Sequence, residues 1–162
     1  MYPYIIFLHV AGTFGFLLAH GASAAVAFTL NRERNLERVC ALLELSANSY
    51  GVMYLSLLVL LVSGIAAGFM GHWWGWGWIW VALGLLIAIT MAMGVLGSRI
   101  YGSVRKAVGL PYFENFKLQP PLPPATPEEI EALLSKGKPM LLTVIGYGGV
   151  LVILWLMMFK PF

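Results

Sequence analysis

Long runs without a charged residue divide the chain into membrane crossings. The first run extends from Met1 to Asn31, the second from Leu45 to Ser98, and the third from Pro139 to Phe159. A helix needs about 20 residues, each rising about 1.5 Å, to cross the hydrocarbon core of a bilayer. The second run is more than twice that length, so it holds two crossings joined by a tight turn. The pattern predicts four membrane helices.

The predicted fold class is all-α, an integral membrane four-helix bundle. Helices two and three are expected to extend beyond the bilayer into the cytoplasm. Leu36, Val39 and Leu43 keep the helical spacing among charged neighbours, and the segment from Arg99 to Lys106 continues helix three in the same way. The helices are expected at about residues 3–30, 35–70, 76–107 and 139–159.

A proline-rich segment separates helices three and four. Residues 109–126 contain five prolines and no helical period, so we expect an irregular cytoplasmic linker with partial polyproline conformation. Thr126 and Pro127, followed by two glutamates, are typical of a helix N-terminus. A short cytoplasmic helix is therefore expected over residues 127–136. The whole chain, residues 1–162, is expected to form a single membrane domain.

Basic residues predict the orientation of the bundle. Lysine and arginine occur in the first and third connections, whereas the second connection, the tryptophan-rich run from Gly71 to Trp78, has neither. The positive-inside rule places the two basic connections in the cytoplasm and the tryptophan-rich turn outside. Both termini are then expected on the outer side, N-out and C-out.

Composition excludes several classes of protein. Hydrophobic residues make up 60% of the chain and charged residues only 10%, whereas a soluble domain carries about 25% charged residues. The main partner is therefore expected to be the lipid bilayer. No basic run is interleaved with aromatic residues, so no nucleic-acid partner is expected. The single cysteine, Cys40, excludes an internal disulfide, and no nucleophile–base pair or phosphate-binding loop identifies the chain as a hydrolase or a pump.

Two histidines in the first helix are the foremost candidates for chemistry. His9 and His20 are eleven residues apart, which brings them to nearly the same helix face, opposite Phe7, Phe14 and Leu18. Both imidazoles are therefore expected to face the other helices. An ionisable side chain inside a membrane is costly and marks a functional site; the alternative is a neutral imidazole that hydrogen-bonds a neighbouring helix. Their separation along the helix, about 16.5 Å, prevents them from binding one metal atom together.

Two further residues are candidates for binding a cofactor. His72 lies in the outer turn, where it serves either as an interfacial anchor or as a partner of His9. Arg99, on the cytoplasmic half of helix three, either neutralises a haem propionate or a lipid headgroup, or only sets the topology. The step from Gly64 to Gly68 is a GxxxG motif, which permits close contact between helices.

The first two-thirds of the chain, roughly residues 1–108, resembles a group of small membrane proteins with four or five helices. Leu-His-Val-Ala-Gly at residues 8–12 resembles the opening of this superfamily, which includes the HemJ-type protoporphyrinogen oxidases and the CopD copper-resistance proteins. Residues 19–23, 31–34 and 73–78 are similar to a bacterial family of predicted integral membrane proteins of unknown function. That resemblance implies the inner, cytoplasmic membrane of a bacterium.

The resemblance to the HemJ group implies haem b held by the first-helix histidine, which is His9 here. It also implies a second ligand, a lysine in a Gly-Trp-x-x-x-Lys pattern, but Ala82 occupies that position in this chain. Protoporphyrinogen oxidation is therefore not implied, and another sixth ligand, such as His72, or none is expected. His20 has no counterpart in the oxidase pattern and suggests a separate inner site.

Three functions are compatible with these features. The first, which we favour, is a haem-b-binding protein with a redox or haem-handling role, with His9 and His20 as ligands and a quinone or a larger membrane complex as partner. The second is a non-catalytic accessory subunit of a membrane complex, without a cofactor. The third is a copper or proton pathway that uses histidine and methionine side chains.

The predicted topology is tested with reporter fusions. Alkaline phosphatase, which is active only outside the cytoplasm, should be active when fused after Phe162 and inactive when fused after Leu122, because the two positions lie on opposite sides of the membrane. Enzyme activity in whole cells measures the difference. The reverse pattern would show that the charge distribution does not set the orientation.

Overall fold

The computed structural model describes residues 1–114 and 117–162. Its helices are α1 (Tyr2–Leu30), α2 (Leu36–Met70), α3 (Gly77–Ala107), α4 (Pro127–Ser135) and α5 (Pro139–Phe159). Four of these, all except α4, are long and apolar enough to cross a membrane. The predicted all-α bundle of four membrane helices is confirmed.

The α1–α2 hairpin is the most closely packed part of the bundle. α1 and α2 run antiparallel and contact each other along most of their lengths. Small residues make this possible: a Cβ atom on Gly12 would lie only 3.0 Å from the backbone nitrogen of Leu60 and 3.1 Å from the carbonyl oxygen of Ser56. Nearer the other end, the hydroxyls of Ser23 and Ser49 are 2.9 Å apart. The two backbones therefore approach closely, and polar groups between them are satisfied within the pair.

Apolar side chains at one end of the bundle join the long helices to α4. With 35 residues, α2 is about 52 Å long, well beyond the roughly 30 Å hydrocarbon core. The extended ends of α2 and α3 pack against α4 and the end of α1. We call this group the inner cluster; its buried members are Val26, Leu30, Val39, Leu43, Val104, Val108, Ile130 and Leu134.

The opposite end of the bundle holds both termini and the tryptophan-rich turn. A second buried group, the outer cluster, joins α3 to α5 and contains Trp78, Ile79, Ala82, Ile89, Ile153 and Leu156. The ammonium group of Lys160 lies 4.2 Å from the ring centroid of Trp73, and Tyr2 packs edge-on against the same ring at 6.2 Å. The two termini thus share one side of the bundle, the side that the charge pattern predicts to be the outer one.

The linker after α3 is more ordered than the sequence predicted. Strands β1 (Tyr112–Glu114) and β2 (Lys117–Gln119) pair in antiparallel register, so the prediction of an irregular segment over residues 109–126 is wrong for these residues. Residues 115–116 of that prediction lie outside the described residues. The prolines flank the strands rather than interrupt them, and the Lys106 ammonium group lies 3.3 Å from the Glu114 carboxylate.

The short connection between α1 and α2 is fixed by a carboxylate. The backbone N–H groups of Asn35 and Arg34 both donate to Glu33 at 2.9 Å, and these hydrogen bonds hold the pKa of Glu33 below its usual value. The side chain of Asn35 caps α2 by accepting from the backbone N–H of Arg38. Arg34 also pairs with Glu131 at 2.9 Å, which ties this connection to α4.

Substitution of Gly12 tests the close approach of α1 and α2. Gly12→Ala should destabilise the protein by about 1–3 kcal/mol, because the new methyl group meets backbone atoms that move only if the helices separate. Gly84→Ala is the matched control, since nothing lies within 4 Å of a Cβ atom at that position. Thermal unfolding in detergent measures both variants. Equal stability of the two would contradict the packing.

Candidate functional site

His9 is held against α2 by a hydrogen bond to the backbone. Its Nδ1 lies 2.9 Å from the carbonyl oxygen of Leu60, and the hydroxyl of Ser63 is 3.4 Å from the same nitrogen. A carbonyl oxygen can only accept, so Nδ1 carries the proton and Nε2 presents its lone pair. Nε2 is not among the buried polar atoms that lack a partner, and the residue is half-buried. His9 is therefore an imidazole of fixed orientation whose Nδ1 donates to the backbone of α2.

The GxxxG motif of α2 makes room for aromatic rings. A Cβ atom on Gly64 would lie 2.9 Å from Cε1 of His9, and one on Gly68 would lie 3.0 Å from the ring of Trp74. The predicted close contact at this motif therefore exists, but each glycine contacts a side chain rather than another helix backbone. Gly64 is what allows the imidazole of His9 to reach the carbonyl of Leu60.

His20 lies deeper in the bundle and contacts α5. Only 7% of the residue is exposed. Its ring stacks on Phe16, with centroids 6.0 Å apart and planes at 6°, and packs against Tyr147 of α5 at 5.1 Å. Nε2 of His20 is buried and has no hydrogen-bond partner among the described residues. An orphaned buried nitrogen is unusual and requires an explanation.

A local change in helix type creates the surface that His20 contacts. α5 contains a π-helical turn at Val144–Gly148, a feature that is frequent at functional sites. Within it, a Cβ atom on Gly146 would overlap Nε2 of His20, and a Cβ atom on Gly21 would lie 2.9 Å from the hydroxyl of Tyr147. The glycine at position 146 therefore admits the imidazole directly against the α5 backbone.

The two histidines have different neighbours despite their common helix face. Phe7, Phe14 and Leu18 on the opposite face are 67%, 64% and 74% exposed, as expected for side chains that face lipid. His9 turns toward α2 and His20 toward α5. They form two separate sites, one in each half of the first helix.

His72 and Arg99 lie apart from both histidines in the first helix. His72 is exposed, and its backbone adopts a left-handed conformation with φ of 53° that turns the chain out of α2. The end of α2 at Met70 lies about 9 Å beyond Gly64, the residue that contacts His9. Arg99 is exposed on α3, and its backbone carbonyl accepts a hydrogen bond from the hydroxyl of Ser103.

Metal-binding side chains do not converge within the described part of the chain. Across residues 1–114 and 117–162, no group of three histidine, cysteine, aspartate or glutamate side chains is placed to hold a metal ion. Within these residues, neither His9 nor His20 therefore belongs to a cluster of three such side chains. A haem iron, whose four equatorial ligands come from the porphyrin, needs only one or two such ligands from the protein.

The partners of the histidines were not predicted from the sequence. Ser63 contacts the imidazole of His9, and Gly146 and Tyr147 contact that of His20. The antiparallel register that places Gly12 opposite Leu60 also places His9 opposite Ser63. This register would therefore have identified Ser63 as a partner of His9. The π-helical turn has no comparable signal in the sequence.

Comparison with known proteins identifies no relative. No protein-family model matches the chain, and neither curated proteins nor solved structures match it. The fold defines a small multi-pass membrane protein, and α1 carries two separate histidine sites, one half-buried at His9 and one buried at His20. The resemblance to the HemJ and CopD proteins stays a prediction.

The contact between His20 and the π-helical turn is tested with Gly146→Ala. The added methyl group overlaps the imidazole, so the variant should be destabilised by about 1–3 kcal/mol. Gly148→Ala is the matched control, because its Cβ atom has nothing within 4 Å. Thermal unfolding in detergent gives the comparison.

A double variant makes this test specific for the ring. Combining Gly146→Ala with His20→Ala removes the overlap, so the two effects should be non-additive and the double variant more stable than their sum predicts. Strict additivity would show that the alanine at position 146 disturbs something other than His20.

Proposed function

We propose that this protein binds haem b through Nε2 of His9 and has a redox or haem-handling role. The observation that carries the proposal is the hydrogen bond from Nδ1 of His9 to the carbonyl of Leu60, at 2.9 Å. Histidines that ligate metals almost always donate their other ring N–H to a carbonyl or carboxylate, which fixes the tautomer and makes the ligating nitrogen more basic. Nδ1 of His9 makes such a hydrogen bond to a carbonyl.

The residues around His9 would allow this imidazole to hold a haem. The carbonyl of Leu60 fixes the plane of the imidazole by accepting a hydrogen bond from Nδ1. When bound, haem b would supply one-electron chemistry. The part of this chain would be to bind the haem through His9 and to fix the orientation of the ligand ring through the carbonyl of Leu60.

The other candidate residues are not placed to provide a second protein ligand to the same iron. His20 is about 16.5 Å along the helix from His9 and presses on Gly146. Ala82, at the position of the lysine that the HemJ resemblance implies, is only 2% exposed and belongs to the outer cluster. His72 is exposed. The proposal therefore has a single ligand from the protein, His9.

The partners and location in this proposal follow from the membrane setting. We propose that the protein lies in the inner membrane of a bacterium and exchanges electrons with a quinone or with a protein of a larger membrane complex. The charge pattern supports a cytoplasmic membrane, because nine of the ten lysines and arginines lie in the two connections predicted to be inside.

A proton pathway is the second candidate, and His20 favours it. Its buried Nε2 has no partner among the described residues, and an imidazole inside a membrane is a common relay for protons. One helical turn further along, the hydroxyls of Ser23 and Ser49 lie 2.9 Å apart, and Ser46 lies 3.4 Å from Ser23. Proton flux into vesicles that contain the purified protein, compared between the wild type and His20→Ala, tests this function.

Haem binding is tested by the reduced-minus-oxidised visible spectrum of the protein purified from haem-supplemented cells. The wild type should give a b-type signal, and His9→Gly should lose it because the only proposed ligand is removed. Added imidazole should restore part of the signal in His9→Gly, since it can occupy the vacated ligand position.

Two variants serve as controls for the ligand assignment. His20→Ala and His72→Ala should keep the signal, because neither residue lies near Nε2 of His9. A wild type without haem, or a signal that survives His9→Gly unchanged without imidazole, would overturn the proposal. Loss of the signal in His20→Ala alone would move the ligand to the inner site.

A further inference from the structure

A cleft opens between α1, α2 and α3 at the inner end of the bundle. Its cavity volume is about 40 Å³, and one side of it is open. Most of the wall is apolar, formed by aliphatic side chains such as Leu30 and Leu43. The polar groups that line it are Ser23, Ser46, Tyr50, Tyr101 and Arg105. We call this the inner cleft; it does not include His9 or His20.

One hydroxyl in the inner cleft lacks a partner. The Tyr101 oxygen is buried and makes no hydrogen bond with any described residue. A phenol is a strong donor, and leaving it unpaired in an apolar surrounding is unfavourable. The arrangement favours an acceptor oxygen from outside the chain, either of a bound molecule or of a water.

A fixed positive charge lies in the same cleft. Arg105 donates through Nη1 to the carbonyl of Leu43 at 3.1 Å and through Nε to the carbonyl of Pro111 at 3.0 Å. These neutral acceptors hold the guanidinium in place but do not neutralise it. The ion pairs of the described residues join Arg34 to Glu131, Arg38 to Glu33, and Lys106 to Glu114, so none includes Arg105. The remaining N–H groups of Arg105 are available to an anion.

The cleft lies at the end of the bundle where α1 and α3 end. Leu30 is the last residue of α1, and Arg105 lies in the last turn of α3. Ser23 and Tyr50 lie farther from these helix ends, toward the membrane interior. An anion at Arg105 would therefore lie toward the helix ends, and the apolar wall would extend from it toward the middle of the bundle.

We propose that the inner cleft binds an anionic phospholipid, with its phosphate on Arg105 and the Tyr101 hydroxyl and an acyl chain along the apolar wall. The guanidinium requires a negative charge, which a neutral quinone does not carry, and the tyrosine requires an acceptor oxygen. The apolar wall favours a lipid over a soluble phosphate ester. This proposal does not depend on haem binding at His9.

The test measures lipid binding to the full-length protein in neutral detergent by native mass spectrometry. Phosphatidylglycerol should bind at least tenfold more tightly than phosphatidylcholine. Arg105→Gln and Tyr101→Phe should each weaken the binding of phosphatidylglycerol about tenfold, because each removes one hydrogen-bonding group for the phosphate. Arg32→Gln and Tyr54→Phe are matched controls, since both residues are exposed and lie outside the lining of the cleft, and both should bind like the wild type.

Further outcomes decide the source of the anion and the stability of the variants. Competition by inorganic phosphate or glycerol phosphate at equal concentration would overturn the lipid proposal in favour of a soluble phosphate ester. Equal binding of the two lipids, or unchanged binding in both cleft variants, would also overturn the lipid proposal. A bound water would then be the remaining partner for the Tyr101 hydroxyl. Thermal unfolding of each variant in detergent without lipid distinguishes a loss of lipid binding from a loss of folding. Arg105→Lys should retain part of the affinity if the lipid recognises the positive charge.

Discussion

The structure depends on how closely the backbones of α1 and α2 approach each other. Small residues, above all Gly12, allow this contact. It places a carbonyl of α2 within hydrogen-bonding distance of His9, an arrangement that a wider helix pair could not provide. In lipid no water competes for such a carbonyl, so the pairing of side chain and backbone is both favourable and specific. The orientation of the His9 imidazole is thus a consequence of helix packing.

The sequence predicted the fold well because the bilayer imposes a simple rule. Charge-free runs of sufficient length become crossings, and the four long helices follow from that rule alone. The hairpin formed by Tyr112–Glu114 and Lys117–Gln119 was missed because its six residues have no long period and stand between prolines. Local pairing there depends on contacts with the end of α3, including Lys106 with Glu114, which a linear pattern does not contain.

The candidate sites were predicted only in part. The cost of burying an imidazole identified His9 and His20 correctly as residues that face the bundle. The helix that each one contacts could not be predicted, because helical periodicity gives a direction but no neighbour. Tyr101 and Arg105 were missed for a related reason: an arginine near a cytoplasmic helix end is expected from topology alone, and only the assembled cleft shows that its charge has no counter-ion among the described residues.

The long helices form two pairs, α1 with α2 and α3 with α5, and contacts between α2 and α3 are sparse. The pairs are fastened at the ends, by the tryptophan-rich turn on one side and by the inner cluster on the other. Near the middle, the packing of His20 against Gly146 and Tyr147 bridges them. His20 is therefore a point of contact between the two pairs away from the ends of the bundle. A relative rotation of the two pairs would therefore change the contacts of this imidazole, which makes His20 a reporter of the distance between the pairs.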